Sequence, residues 1–273
     1  MPSLPAPCPD PGTSASIGVF DSGVGGLTIL RALCARLPQA SLHYVGDVAN
    51  APWGGRPDHE IVARSIAIAD SLRAQGAALI VVACNTATVI AIEALRARWP
   101  QTEFVGVEPG VKPAATRSAS GRIAIMATPA TVASARLVHL LRRHAAATHV
   151  HLEPCPGLAA AIEAGLLDGP RLDALIAPHC DAILRAGVDT VVLGCTHYGF
   201  VEAEIRRRLG PGIAVLDTAA AVAERAASLW ERTPRHPEPA PFRRVVSTGT
   251  PAMLQQLLRR CEGFEAVEVE VDG

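Results

Sequence analysis

Asp181–Cys195 reads DAILRAGVDTVVLGC and Asp70–Cys84 reads DSLRAQGAALIVVAC. Laid together at an offset of 111 residues, their Asp, Gly, Val and Cys coincide and the apolar block keeps its frame. Working outward, IAIMATP from Ile123 falls on IGVFDSG from Ile17 at an offset of 106. AVLDTAA from Ala214 falls on VGVEPGV from Val105 at an offset of 109. Any one match could be chance, because strand–helix units look alike. Three in the same order at nearly one period mark a duplicated unit.

The unit itself is α/β. Continuous apolar runs at Ile17–Phe20, Leu42–Val45, Leu79–Ala83 and Phe104–Val107 alternate with helical stretches at Leu27–Leu37, Asp58–Gln75 and Thr86–Trp99. The second half repeats the scheme. Its strands are Ile123–Met126, His149–Leu152, Thr190–Leu193 and Ala214–Leu216, and its helices Thr131–His144, Arg171–Ala186 and Phe200–Leu209. Helix Ala219–Trp230 follows, and the segments Arg243–Ser247 and Met253–Arg260 close the chain. Strands apolar on both faces belong to parallel sheets covered by helices. The expected fold is therefore two pseudo-symmetric parallel-sheet α/β domains facing across a cleft. The first spans 17–108 and recruits 218–273, whose helices need a surface to cover; the second spans 109–217. Residues 1–16 read as a disordered tail, with five prolines in MPSLPAPCPDPG, and Thr233–Pro241 as an exposed proline-rich loop.

Composition removes several function classes. Lys+Arg is 25 and Asp+Glu 26, for a net charge of −1, which lacks the basic surplus of a nucleic-acid protein. Aromatics at 4% offer no base-stacking platform. The longest apolar run, Ala77–Cys84, is 8 residues, whereas a membrane span needs about 20. Seven cysteines without a CxxC, and without a charged region before an apolar one, read as reduced thiols in a cytoplasmic protein. Lys112 is the only lysine. It sits at a strand exit, a poor place for a Schiff-base lysine, so no pyridoxal cofactor is expected.

Chemistry concentrates where the repeat meets itself. Ligands of parallel sheets bind beyond the carboxyl ends of strands. Cys84 and Cys195 both stand at such ends, so they would approach one molecule from opposite sides. Cys84 is followed by Asn85 and Thr86 at a strand-to-helix turn, where helix N–H groups bind carboxylates and lower a thiol's pKa. Cys195 is followed by Thr196 and His197, a possible acid–base pair. Cys34, Cys180 and Cys261 fall on predicted helices as core or surface thiols, and Cys155, between two prolines, reads as structural. Asp21-Ser22-Gly23-Val24-Gly25-Gly26 after the first strand could nest phosphates. As a dinucleotide fingerprint it has Thr28 at the third glycine position, and Asp21 would repel a pyrophosphate. Asp21 reads instead as a carboxylate aimed into the cleft, able to polarise Cys84. Glu163 among alanines reads as solvated. Asp47, Glu108 and Asp217 end strands and are secondary candidates. Trp53, in Pro52-Trp53-Gly54-Gly55, can face the cleft; Trp230 reads as core or subunit contact. No metal site is expected: His149 and His151 share a strand face without an acid partner nearby.

The Ile17–Leu27 block, Ala83–Thr88 and Gly194-Cys195-Thr196-His197-Tyr198 resemble the glutamate racemases of the aspartate/glutamate racemase superfamily, from about Ile17 to about Thr218. The resemblance implies cofactor-independent inversion at Cα by two cysteines, Cys84 and Cys195. Asp21 would assist the first; His197 and Glu163 would assist the second. Asp21, Ser22, Trp53, Gly54, Asn85, Thr86, Thr196 and His197 would hold glutamate, supplying D-glutamate for peptidoglycan. A homodimer is the expected assembly. His197 favours the glutamate branch, since aspartate racemases more often carry an acid there. The chain departs from the family at Trp53, where Tyr is usual, and at Gly199-Phe200, where Pro-Leu is usual. An aspartate or other amino-acid racemase, a cysteine amidohydrolase, a dinucleotide-dependent oxidoreductase and a non-catalytic amino-acid-binding protein stay open.

Overall fold

The computed structural model describes residues 15–233 and 240–271. The proline-rich segment 1–14 with Cys8, and most of the second proline cluster, lie outside them. The first element is strand β1 (Ser16–Asp21), so Ser16 belongs to a strand and not to the tail.

Two parallel sheets form, and both repeat one plan. β2 (Ser41–Gly46), β3 (Ala77–Val82) and β4 (Glu103–Gly106) join β1 in the order β2-β1-β3-β4. β5 (Arg122–Ala127), β6 (His149–Pro154), β7 (Thr190–Leu193) and β8 (Ala214–Leu216) take the order β6-β5-β7-β8. The duplication read from sequence thus reappears as identical topology. β9 (Arg243–Ser247) pairs with β2, and β10 (Val269–Val271) pairs with β9, extending the first sheet to six strands.

Alternation along each strand feeds a core on either face. In β3, Leu79 and Val81 join a cluster with α1 (Leu27–Arg36) and α10 (Ala219–Trp230). Ile80 and Val82 join another with α2 (Asp58–Ala74) and α3 (Asn85–Arg98). Trp230 is part of the first cluster, with 5% of its surface exposed, so it is a core residue. Leu254, Leu257 and Leu258 of α11 (Ala252–Leu258) lie in that cluster too. The second sheet has its own pair of clusters, and α8 (Gly169–Arg185) supplies Leu172, Ile176 and Ile183 to one of them. The coinciding glycines of the repeat have a physical cause. Gly76 and Gly187 follow α2 and α8 with φ of 90° and 64°, ending each helix in the left-handed conformation that turns the chain into β3 or β7.

Several local expectations need correction. The stretch 131–144 is not one helix: α5 (Pro129–Val132) stops, and Ser134 caps α6 (Ala135–His144) by accepting the Leu137 N–H. Thr196–Val201 forms a 3-10 turn, and the helix expected from Phe200 begins as α9 at Glu202 (Glu202–Leu209). Two short helices were not legible, α4 (Val111–Arg117) and α7 (Leu158–Glu163). Pro113 masks the first, although proline is tolerated in a first helical turn. The second is one turn and a half long, too short for a periodic signal. Cys261 lies just past α11, buried in a turn.

Candidate active site

The two sheets present their strand ends to one cavity of about 410 Å³. Its walls carry Ser22, Trp53, Gly54, Cys84, Asn85 and Thr86 from the first lobe. Thr128, Cys155, Cys195, Thr196 and His197 come from the second. The sequence reading brought together nine of these residues. It missed Thr128 and took Cys155 for a purely structural thiol. The repeat carried the missing signal: at the offset of 106, Thr128 is the counterpart of Ser22.

Cys84 caps α3. Its sulfur accepts the Ala87 N–H at 3.4 Å, and its S–H donates to Ser22 Oγ at 3.7 Å. The helix terminus does not make it acidic, contrary to expectation. Burial pushes the thiol well up, and the Asp21 charge adds to that, outweighing the Ala87 and Ser22 contacts. Asn85 donates from Nδ2 to Val107 O at 3.1 Å, and its Oδ1 is buried without a partner. Thr86 meets Thr128 across the cleft, hydroxyl to hydroxyl, at 3.2 Å.

Cys195 has a different setting. Its sulfur lies 3.7 Å from His197 Nδ1, and His197 Nε2 lies 2.6 Å from Glu163 Oε1. Glu163 is not the solvated acid its alanine neighbours suggested. Its side chain is 11% exposed and accepts the Val24 N–H of the other lobe at 2.8 Å. Burial opposes charge on both partners, but their mutual hydrogen bond wins. It holds Glu163 below its ordinary value, and with the Cys195 contact it holds His197 well above its own. The result is a buried ion pair behind Cys195.

Asp21 is placed otherwise than expected. It is fully buried and is not on the cavity wall. Oδ2 accepts the Gly23 N–H at 3.1 Å, while Oδ1 has no partner. Burial raises its pKa, His197 pulling the other way. Asp21, Glu163 and His197 each present an atom within 4.8 Å of the others, so Asp21 faces the second lobe's pair as well as Cys84. The glycines between them make room: a Cβ on Gly23 would clash with Glu163 Oε1, and one on Gly25 with His197 Nδ1.

The remaining candidates settle elsewhere. Glu108 pairs with Arg136, and Asp217 accepts the Ala219 N–H at the start of α10. Asp47 is buried beneath the Trp53 loop, as described below. His151 does have an acid partner, because Glu153 shares its face two residues on; their atoms are 2.9 Å apart, and Glu153 also meets His179 at 2.7 Å. Lys112 is exposed on α4, away from the cavity wall. Both departures from the family pattern have contacts. Trp53 donates to Asp47, and Gly199 packs so near Thr28 that a Cβ would lie 3.1 Å from its methyl.

The profile of the Asp/Glu/Hydantoin racemase family matches residues 27–226. The glutamate racemase of Pseudomonas aeruginosa (strain UCBPP-PA14) is 49% identical over 210 residues, 77% of this chain and 79% of the relative. That of Roseiflexus sp. (strain RS-1) is 40% identical over 270 residues, 94% of this chain and 97% of the relative. Among solved structures, Escherichia coli glutamate racemase in complex with L-glutamate and the activator UDP-MurNAc-ala superposes with a TM-score of 0.83 at 32% identity. That match covers 94% of this chain and 98% of the other. The Aquifex pyrophilus glutamate racemase gives 0.74 at 33%, covering 94% and 98%. No helix among the described residues is long and apolar enough to cross a membrane. A chain with this profile match, these relatives and paired strand-end thiols belongs to the Asp/Glu/Hydantoin racemase family, in its glutamate racemase branch, and is an amino-acid racemase.

Proposed function

We propose that the protein interconverts L- and D-glutamate by a two-base mechanism, with Cys84 and Cys195 serving opposite faces of Cα. The observation that carries this is the pair of repeat-related thiols on two walls of one cavity. Inversion requires a proton to leave one face and another to reach the opposite face. Two bases accomplish that without turning the substrate over. One cysteine acts as thiolate, the other as thiol, and their roles exchange with direction.

The surroundings support this division. Cys84, with its thiol pushed up, is the proton donor of the resting state. Cys195 faces His197, whose pKa the Cys195 and Glu163 contacts hold up, so its sulfur has a charged hydrogen-bond donor 3.7 Å away. The substrate's carboxylate meets the N-terminus of the 14-residue helix α3, where Asn85 and Thr86 line the cavity. Ser22 and Thr196 offer hydroxyls to the charge that develops as the proton leaves, while Thr86 and Thr128 bind the resting substrate. The two lobes, 17–108 with 218–273 and 109–217, are its two walls. The same reading includes a homodimer, a cytoplasmic location and a supply of D-glutamate to peptidoglycan.

Circular dichroism of the purified protein with L-glutamate, then with D-glutamate, tests it. Ellipticity should decay to zero from either side without added pyridoxal phosphate, metal or nucleotide. Faster decay with aspartate would move the substrate to the sister branch. Ammonia release from glutamine, with the ellipticity of glutamate unchanged, would favour an amidohydrolase.

A further inference from the structure

Asp47 closes β2 and is completely buried, yet five side-chain bonds converge on its carboxylate. Trp53 Nε1 donates to Oδ2 at 3.1 Å, and Asn50 Nδ2 donates to Oδ1 at 3.0 Å. Both belong to the loop that follows β2. Arg64 of α2 reaches both oxygens through Nε and Nη2, and Thr248 Oγ1, just past β9, donates to Oδ1 at 2.8 Å. Arg56 returns to the same loop, donating to Asn50 O at 2.7 Å. A single carboxylate therefore joins four pieces of chain: the end of β2, the Trp53 loop, α2 and the C-terminal segment.

The second lobe has no such bracket. At the offset of 108 that relates β2 to β6, the counterpart of Asp47 is Cys155, whose thiol donates only to Glu153 O, at 3.5 Å. There the chain enters α7 within three residues, with no long loop to hold. In the first lobe the loop is long, and Trp53 and Gly54 on it form cavity wall. The indole has a single donor, and Asp47 takes it. Trp53 thus offers the cavity only its apolar surface, at a fixed position.

We infer that Asp47 is a positioning residue for the racemase reaction: it fixes the Trp53–Gly54 wall of the substrate cavity and ties that wall to the C-terminal strand through Thr248. This inference rests on the cavity being the glutamate site, but its spectroscopic test does not. Misplacing a wall that touches substrate equally in ground and transition states raises KM more than it lowers kcat. D47A should raise KM for both enantiomers about tenfold, the worth of one hydrogen bond to a charged group, with kcat changed less than about threefold. D47N keeps an acceptor oxygen for the indole and should recover most of that loss. W53F removes the same bond from the other side, so D47A/W53F should be no worse in KM than the poorer single variant.

In a W99F/W230F background, Trp53 is the sole tryptophan. Its emission should shift to the red in D47A, remain near the parent in D47N, and shift by a smaller amount in T248V. That readout stands even if glutamate proves to be the wrong substrate. A D47A protein with parental KM and unchanged Trp53 emission, merely melting earlier, would overturn the inference. Additive KM effects of D47A and W53F would do the same. Should D47A fail to fold, D47N and T248V carry both measurements: parental emission in T248V together with parental KM in both variants would overturn it.

Discussion

Cys84 and Cys195 end equivalent strands of two copies of one unit, and they differ in what the next two residues supply. After Cys84 come Asn85 and Thr86, which open a full helix; its first turn donates a backbone N–H to the sulfur. After Cys195 come Thr196 and His197, which open a 3-10 turn, and the sulfur meets an imidazole instead. One thiol is buried beside a carboxylate, the other beside an imidazolium backed by a carboxylate. Duplication fixed where the two sulfurs stand; the residues that follow them differ, and in a two-base mechanism that difference would decide which sulfur gives a proton and which takes one. A symmetric pair would carry two thiols or two thiolates at rest, and neither state can both take and give a proton in one turnover.

The strongest way to break the comparison is to remove each sulfur. C84A and C195A should each lower racemisation by at least about 10³-fold, since in a two-base mechanism each deletes the acid or base of one face. Both should stay folded, because the cavity left by one small group costs about 1–2 kcal/mol on ordinary core figures. Circular dichroism melts and initial rates from each enantiomer check this. In deuterated water the wild-type product should carry deuterium at Cα from the first turnover, while unreacted substrate stays protiated. Early return of the original proton to product would mean a single base.

Removing the ion pair behind Cys195 should sharpen the asymmetry. E163Q should lower kcat by about 10- to 100-fold at neutral pH, within the usual range for a group that supports an acid–base catalyst. His197 then loses the partner that holds its pKa up, so the alkaline limb of the rate profile should move to lower pH. Stability follows the same groups. The raised His197 stabilises the fold fully below its ordinary 6.5, and that contribution fades as pH climbs through the raised value. The lowered Glu163 stabilises it fully above its ordinary 4.5, and that fades as pH falls through the lowered value. Melts should therefore show the pair's full contribution between pH 4.5 and 6.5 and lose it on either side. An E163Q profile superimposable on wild type would detach the pair from catalysis.

The sequence made much of this visible because the repeat is written in strand ends. The Cys84–Cys195 correspondence, the sheet plan and the C′ glycines at 76 and 187 all follow from short local patterns. What stayed hidden depends on distant chain. Glu163 looks solvated among alanines, and only the fold brings it to Val24 N–H and His197, 139 and 34 residues away. Asp47 looked like one more acid at a strand end, because its donors come from three other segments. Asp21 was read as a cleft residue because strand ends face ligands, yet Ser22, one position on, takes the wall and leaves Asp21 sealed behind it.

Gly23 tests whether the lobes must touch for the asymmetry to exist. Its missing side chain leaves the space that Glu163 occupies from the other lobe. G23A should push the carboxylate away from Val24 N–H and disturb its bond to His197. Because small misplacements of catalytic groups are costly, kcat should fall about tenfold or more. The alkaline limb should move in the same direction as in E163Q. Combining the two changes should cost little more than E163Q alone, since both act on one carboxylate. Full additivity in kcat would show that G23A acts through its own loop.

The smallest expected effect belongs to the hydroxyls that meet across the cleft. Ser22 and Thr128 are counterparts in the repeat, but only Thr128 reaches the opposite lobe, through Thr86 at 3.2 Å. Thr128 also caps α5, its Oγ1 accepting the Thr131 N–H at 3.2 Å. T128V keeps the volume and removes both bonds, together with the one that Thr128 Oγ1 donates to Thr131 Oγ1 at 3.0 Å. Loss of the cap should cost about 1 kcal/mol of stability. The cross-cleft bond is a neutral pair, so KM should rise only about two- to threefold. T86V breaks that bond from the first lobe without touching the α5 cap. It should therefore match T128V in KM while melting higher than T128V. The double variant should show the KM effect once, not twice. Equal melting temperatures for the two single variants would mean that α5 gains nothing from its cap. A KM effect confined to T86V would place the useful hydroxyl on the first lobe alone, and the asymmetry between the lobes would then extend beyond the thiols.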